Sequence, residues 1–177
     1  MNDSYDDFIK KIFYYHSLIN NINEHGESLL HYCVYYGLIE QYYALINIGA
    51  EIKKTHDGNN LLHYASHSGK DDYLITELVK QGLSPLDRNK FNETPLHCSS
   101  NERISHYLNM WCFRNNVNVL ELLDNDNNSV AHSCKMHGHL DASYYWINNY
   151  PDLDNYKNVF GKTWKQIKKK KYTQGLY

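Results

Sequence analysis

Apolar side chains recur along the chain in short groups, and each group would cover one side of a helix. Near the N-terminus, Phe8, Ile9, Ile12 and Phe13 fall on one helical face. Later groups with helical periodicity lie at 39–46, 73–79, 110–113 and 144–147. Because apolar positions spaced in this way are typical of amphipathic helices, the pattern predicts an all-α chain.

The polar segments between these groups contain a short motif that repeats at nearly even intervals. Its best copy runs from Asn92 to His97, and weaker copies run from Gly26 to His31, Gly58 to His63 and Asn127 to His132, with a decayed fifth from Gly161 to Gln166. The last residues of successive copies are 32, 34, 35 and 34 positions apart. A fixed period of this length indicates stacked units, each too small to bury its own apolar face.

Each copy carries residues suited to starting and ending a helix. Three positions before the last residue of each copy stands a residue that can accept a backbone N–H at a helix start: Ser28, Asn60, Thr94, Ser129 and Thr163. Pro95 follows Thr94 at the first helical position, where its missing N–H costs nothing. Six positions after His31, His63 and His132 come Gly37, Gly69 and Gly138, which suit a left-handed helix end. The third copy has Arg103 there instead.

These residues resemble the ankyrin repeat, a helix–turn–helix unit of about 33 residues that opens with Thr-Pro-Leu-His. The third copy matches this run fully from Thr94 to His97, and the other copies match it in part. Gly138 and His139 also match the Gly-His pair that commonly ends the first helix in this family. The resemblance covers about residues 23 to 170. It implies an all-α ankyrin-repeat solenoid of about four repeats, in which the repeated histidines hold the helix starts through local hydrogen bonds.

We predict one ankyrin-repeat domain over residues 1–177, with a capping helix over 1–22, four repeats over 23–154, and a truncated fifth repeat over 155–177 as the C-terminal cap. Ser4 followed by Asp7 resembles a capping box at the start of the first helix. In the third repeat, Asn115 and Asn116 are expected to end the second helix in place of glycine. In the C-terminal cap, Trp164 and Ile167 are expected to pack against the fourth repeat, which leaves Lys168 to Lys171 as a solvated face.

Composition narrows the classes of protein that fit. The chain is 42% hydrophobic and 21% charged, which is ordinary for a folded soluble domain, and its net charge of −2 predicts no nucleic-acid partner. No signal-peptide pattern and no apolar run long enough to span a bilayer occur, so we predict no membrane association and a cytoplasmic location. The four cysteines, Cys33, Cys98, Cys112 and Cys134, are expected to be reduced packing residues.

Several motifs resemble parts of known chemical sites but lack residues that those sites need. Gly161-Lys162-Thr163 ends like a P-loop, but position 156, where that motif needs glycine, is Tyr156. His63 and His67 have the spacing of two zinc ligands on one helical face, yet no cysteine or carboxylate falls in step with them. A second set, His132, Cys134, His137 and His139, is a further metal candidate. We predict neither metal site, no cofactor and, since no catalytic motif is present, no enzyme.

The family resemblance places a partner on the concave side, made of turn tips and exposed residues of the first helices. At the turn tips these positions are Glu24, His25, Glu27, His56, Asp57, Asn59, Lys90, Phe91, Glu93, Asp126 and Asn128; on the first helices they are Tyr35, Tyr36, His67, Glu102, Met136 and His137. Six of them are carboxylates and one is a lysine, so we predict an acidic face that binds a basic surface of another protein.

The biological setting stays open between two roles. A small free-standing binder with an acidic face suits an inhibitor or immunity protein that covers the basic cleft of a toxin. The same fold also suits a pathogen effector or adaptor that binds a host protein after delivery into the host cell. An enzyme that uses the repeats as a scaffold is disfavoured, because the repeats occupy nearly the whole chain.

Overall fold

Seven α-helices and three short 3₁₀-helices make up the part of the chain that the computed structural model describes, residues 18–169, and no strand occurs in this part. The α-helices are α1 (Leu29–Tyr36), α2 (Ile39–Asn47), α3 (Leu61–Ser68), α4 (Asp72–Lys80), α5 (Glu102–Arg114), α6 (Val130–His137) and α7 (Leu140–Asn149). The 3₁₀-helices span Val119–Glu121, Pro151–Asp154 and Trp164–Gln166. The predicted all-α repeat fold is confirmed.

The helices stack so that equivalent elements of neighbouring repeats cover one another. Helix α1 packs on α3 and on α2, α6 packs on α7, and α5 packs on α7. The residues that directly precede the repeated histidines, Leu30, Leu62, Leu96 and Ala131, are all buried in one continuous apolar cluster. Each repeat therefore supplies apolar cover to its neighbours, as a solenoid requires.

The helix ends follow the predicted residues in the first, second and fourth repeats. Gly37, Gly69 and Gly138 end α1, α3 and α6 with φ values of 71°, 59° and 90°. The left-handed conformation is strained for residues with a Cβ, which explains glycine here. Asn115 follows α5 and Asn116 has φ 54°, so the predicted asparagine end is confirmed.

The third repeat departs from the prediction, although its motif is the best of all the copies. Residues 95–98 form a single turn with hydrogen bonds from His97, Cys98 and Ser99 to the residues three before them, and this turn does not continue into an α-helix. Only three residues separate His97 from Asn101, which caps α5, whereas seven separate His63 from the cap of α4 at Asp71. The segment between His97 and Asn101 is too short to form an α-helix of two turns.

Two sequence assignments change as a result. Glu102 was expected on the first helix of the third repeat, but it is the first residue of α5. Arg103 stands where the other repeats have glycine because no left-handed helix end is needed there; it lies in α5, and its Nε is 2.7 Å from Asp72 Oδ2 of α4.

A buried tryptophan covers the C-terminal end of the stack. The C-terminal prediction is confirmed at Trp164, which is buried and lies edge-on to Tyr144 with ring centroids 5.2 Å apart, under the ammonium group of Lys135. Lys168 and Lys169 are exposed. The predicted capping box at Ser4, residues 1–17 of the predicted capping helix, and Lys170 and Lys171 lie outside the described residues.

Candidate functional site

Each repeat begins with a five-residue loop closed by its first and fifth residues. The backbone N–H of the first residue donates to the carbonyl of the fifth at 2.9–3.0 Å in all five loops: Asn23–Glu27, Thr55–Asn59, Asn89–Glu93, Asp124–Asn128 and Asn158–Lys162. In the third loop, Asn89 Oδ1 also accepts the N–H groups of Phe91 and Glu93, both at 2.9 Å. These bonds fix the middle three residues of each loop, which we call the turn tips.

Backbone hydrogen bonds join successive turn tips into one row. His56 N donates to His25 O at 2.9 Å, Lys90 N to Asp57 O at 2.8 Å, Asn125 N to Phe91 O at 3.0 Å, and Val159 N to Asp126 O at 3.1 Å. Neighbouring loops approach so closely that a Cβ added at Gly26 would lie 2.6 Å from His56 N. The row therefore extends over five repeats with a spacing set by the backbone.

The four repeated histidines, His31, His63, His97 and His132, lie at the helix starts, and the rings of His63 and His132 also reach the next loop. The Nδ1 atoms of the first three accept the backbone N–H of the residue three before, at 3.0, 3.3 and 3.1 Å. Since Nδ1 accepts, Nε2 carries the proton, and it lies 3.2 Å from Glu93 O in His63 and 3.1 Å from Lys162 O in His132. Burial lowers the pKa of His31, His63 and His97 to about 4, so their rings stay neutral.

Comparison with protein families agrees with this architecture. A family model described as ankyrin repeats, in three copies, matches residues 30–110. The chain is an ankyrin-repeat protein. Repeats of this family are protein–protein interaction modules, and the family is typically not enzymatic. No curated protein matched the chain.

The ankyrin stack described here continues past the matched region, through α6 and α7 to the C-terminal turn at Trp164–Gln166. Between residues 18 and 169, no helix has both the length and the apolar character needed to cross a bilayer.

The structure divides the predicted partner-binding residues of this ankyrin-repeat protein into three groups. Exposed residues are Glu24, His25, Tyr36, His56, Lys90, Phe91, Glu102 and Asp126, and partly exposed ones are Tyr35, Asp57 and His67. Buried residues are Glu27, Asn59, Glu93, Asn128, Met136 and His137. The expectation that this third group lies on the concave surface is wrong.

Most of these six residues are buried because of the geometry of the loops. Four of its members are the fifth residues of their loops, whose side chains turn into the stack. Asn59 Oδ1 accepts from Asn89 Nδ2 at 2.9 Å, and Glu27 Oε1 accepts from the Tyr64 hydroxyl at 2.6 Å. Of the six carboxylates predicted on the concave face, four are therefore at the surface. These are Glu24, Asp57 and Asp126 on the turn tips and Glu102 on α5.

The fifth turn tip was not among the predicted binding positions. Val159 and Phe160 are exposed there, and Phe160 lies two residues after Asn158 as Phe91 lies two residues after Asn89. The same period that located the other loops could have identified this position.

Neither histidine set considered as a metal site is assembled as such. His63 and His132 are held by their loop hydrogen bonds, and the Cys134 thiol lies against Ser99 and the Leu96 carbonyl. A different group forms instead, in which His137 Nε2 lies 3.1 Å from Glu93 Oε1, and His139 Nε2 lies 3.2 Å from His67 Nδ1.

Proposed function

We propose that this ankyrin-repeat protein binds a basic surface of another protein through its row of turn tips. The observation that carries the proposal is the mixture of exposed side chains along this row. Carboxylates stand at Glu24, Asp57 and Asp126, and aromatic rings stand at Phe91 and Phe160, which are 45% and 64% exposed.

The aromatic rings supply contact area. Phe91 and Phe160 project from the third and fifth loops, and Tyr36 on α1 is exposed with its ring edge-on to Tyr35 at 5.1 Å. Rings of this kind anchor many protein interfaces, because they bury a large area with few rotatable bonds. Exposed phenylalanine in a polar loop has no comparable benefit for folding.

The carboxylates supply charge that a partner can use. Asp57 Oδ1 lies 3.8 Å from Lys90 Nζ, and both side chains are substantially exposed. An exposed pair at this separation contributes little to stability and exchanges readily for a partner's lysine or arginine. Carboxylates on a binding surface accelerate encounter with a basic protein and disfavour acidic ones.

The backbone of the row is ordered by the bonds between loops. Because His56, Lys90, Asn125 and Val159 each donate to the preceding tip, binding would order little additional backbone. A surface that is already ordered loses less entropy on association, which favours affinity.

The role that we propose is that of an inhibitor or immunity protein, in which the turn tips cover a basic cleft on a toxin. An effector or adaptor role toward a host protein would use the same surface. A toxin gene beside the gene for this chain would favour the inhibitor, and transfer of the protein into host cells would favour the effector.

The test begins with affinity purification of the full chain and identification of its partner by mass spectrometry. Binding to the purified partner is then measured for a D57K/D126K variant and for an E40K/E121K control with the same charge change outside the loops. We expect the first variant alone to weaken binding at least about 10-fold, with wild-type binding weakening as salt rises. Equal effects of the two variants, or binding that does not change with salt, would refute the proposal.

A second comparison tests the aromatic contacts. The F91A/F160A variant removes the two tip rings, and F113A removes a ring that is 77% exposed on α5. Loss of partner binding in the first variant and its retention in the second would support the turn tips as the binding surface. Retention in both would place the partner elsewhere on the stack.

A further inference from the structure

We infer that Glu93, Cys98 and His137 form a site for one Zn²⁺ ion, at the point where the third repeat lacks its first helix. Of the three residues, only His137 belonged to a histidine set that the sequence suggested. One ligand atom from each lies within 4.8 Å of the other two. The inference does not depend on the proposed partner-binding surface.

The missing helix brings together residues from repeats that are not neighbours. Because the third repeat makes only one turn after His97, His67 of α3 meets His137 at the end of α6 with ring centroids 5.6 Å apart. His139 joins them, with its ring 4.7 Å from that of His67. In a regular ankyrin stack, the first helix of the intervening repeat would separate these rings.

The three ligand residues are well buried and close to the geometry that zinc requires. Glu93, Cys98 and His137 are 3%, 0% and 4% exposed. Bond lengths of about 2.0–2.3 Å place the ligand atoms of a tetrahedral zinc site about 3.3–3.8 Å apart. His137 Nε2 is already 3.1 Å from Glu93 Oε1. Side-chain movements of about 1 Å would therefore bring the three ligand atoms to the separations of a tetrahedral zinc site.

The ligand types favour zinc over magnesium or calcium. A thiolate, an imidazole and a carboxylate together form a set that binds Zn²⁺, whereas magnesium and calcium prefer oxygen atoms alone. The charges also balance, since a thiolate at Cys98 and a carboxylate at Glu93 neutralise a divalent cation. A neutral assembly is the form that a buried site tolerates best.

The surroundings supply an orienting group and include a surface groove. Asn89 Nδ2 donates to Glu93 Oε2 at 3.2 Å, which leaves Oε1 directed at His137. A surface groove is lined by Tyr35, Tyr36, Lys70, His67 and His139, and the His67 ring contacts that of His137. We assign the fourth position on the metal to a water molecule.

The first experiment uses the full chain, stripped with a chelator and titrated with zinc chloride alone. Calorimetry and metal analysis should give one Zn²⁺ per chain for wild type and for two controls, C112S at another buried thiol and H106A at an exposed histidine. C98S, H137A and E93Q should each lower zinc affinity by more than the roughly 10-fold to 100-fold caused by changing a residue that only orients a ligand. Absence of zinc from wild type, or equal binding by the ligand variants and the controls, would overturn the inference.

A second measurement covers the case in which a ligand variant fails to fold. Co²⁺ added to stripped wild-type protein should produce the charge-transfer absorption of a thiolate bound to cobalt. Zinc should also raise the melting temperature of wild type. Cobalt binding without the thiolate band would exclude Cys98 as a ligand, and an unchanged melting temperature at saturating zinc would exclude a buried site.

Discussion

His63 donates from Nε2 to the backbone carbonyl of Glu93 at 3.2 Å, and so joins the start of α3 to the loop of the next repeat. Its Nδ1 accepts the Asn60 N–H at 3.3 Å, so one buried ring satisfies two backbone groups. His63 therefore connects two repeats and is also part of a helix start.

Replacing His63 with alanine should destabilise the stack by about 2–4 kcal/mol, because two buried backbone groups lose their partner. Urea unfolding followed by circular dichroism measures this cost. The control is H106A, which removes an exposed histidine on α5 and should change the free energy of unfolding by less than about 0.5 kcal/mol. Equal costs for the two variants would show that His63 does not connect the repeats.

Acid should unfold the protein through these same histidines. Burial lowers the pKa of His31, His63 and His97 from the usual 6.5 to about 4, so the unfolded chain binds more protons than the folded chain between these values. Their stabilising contribution is fully present above pH 6.5 and is lost as the pH falls toward 4.

Urea midpoints measured from pH 7.5 to pH 5 should decrease steadily, and the decrease should be smaller in H63A than in wild type. Each of the three histidines can contribute up to about 1.4 kcal/mol per pH unit in this window. A constant urea midpoint across the range would contradict the buried neutral state of the rings.

Ser99 should be energetically coupled to Trp146, because its hydroxyl accepts from the indole Nε1 at 3.0 Å in the interior of the third repeat. S99A leaves the buried indole N–H without this partner and should cost about 1–3 kcal/mol. W146F removes the donor, so the S99A/W146F double variant should cost less than the sum of the single variants. Unfolding free energies of the four proteins give the coupling, and simple additivity would show that the bond contributes nothing.

Trp164 should be the main anchor of the C-terminal cap, since its buried ring packs on Tyr144 and its Nε1 donates to Asp154 Oδ1 at 2.9 Å. W164A should cost about 3–5 kcal/mol and increase amide exchange in α6 and α7. F160A, four residues earlier, removes an exposed ring and serves as the matched control with a cost below about 0.5 kcal/mol. Similar costs for the two variants would contradict the assignment.

Much of this fold follows from residues that act within one repeat or between adjacent repeats. The even spacing of the histidines, the caps at Asn60 and Gly69, and the packing of Trp164 all depend on neighbours a few residues away or one repeat away. Local patterns of this kind are visible in a single sequence.

The third repeat was not predictable in this way. Thr94 to His97 match the helix-start motif best. The helix nevertheless stops after one turn, because Asn101, which caps the next helix, follows too soon. Contacts from the two neighbouring repeats hold the altered path, since Ser100 N donates to Ser66 O at 3.0 Å and Trp146 donates to Ser99. A local motif contains no information about such partners.

The binding surface was predictable only in part for a similar reason. Glu93 follows the exposed tip Lys90 to Asn92 directly in sequence, but the closing hydrogen bond of the loop turns its side chain inward. The meeting of His67 with His137 across the third repeat depends on the shortened helix, which the sequence did not indicate.

Hydrogen exchange of the complex with its purified partner tests the proposed binding surface most directly. The account predicts slower amide exchange on binding in the turn tips at 24–26, 56–58, 90–92, 125–127 and 159–161, with little change in α2, α4 and α7. Protection confined to those second helices, with exchange in the turn tips unchanged, would contradict it.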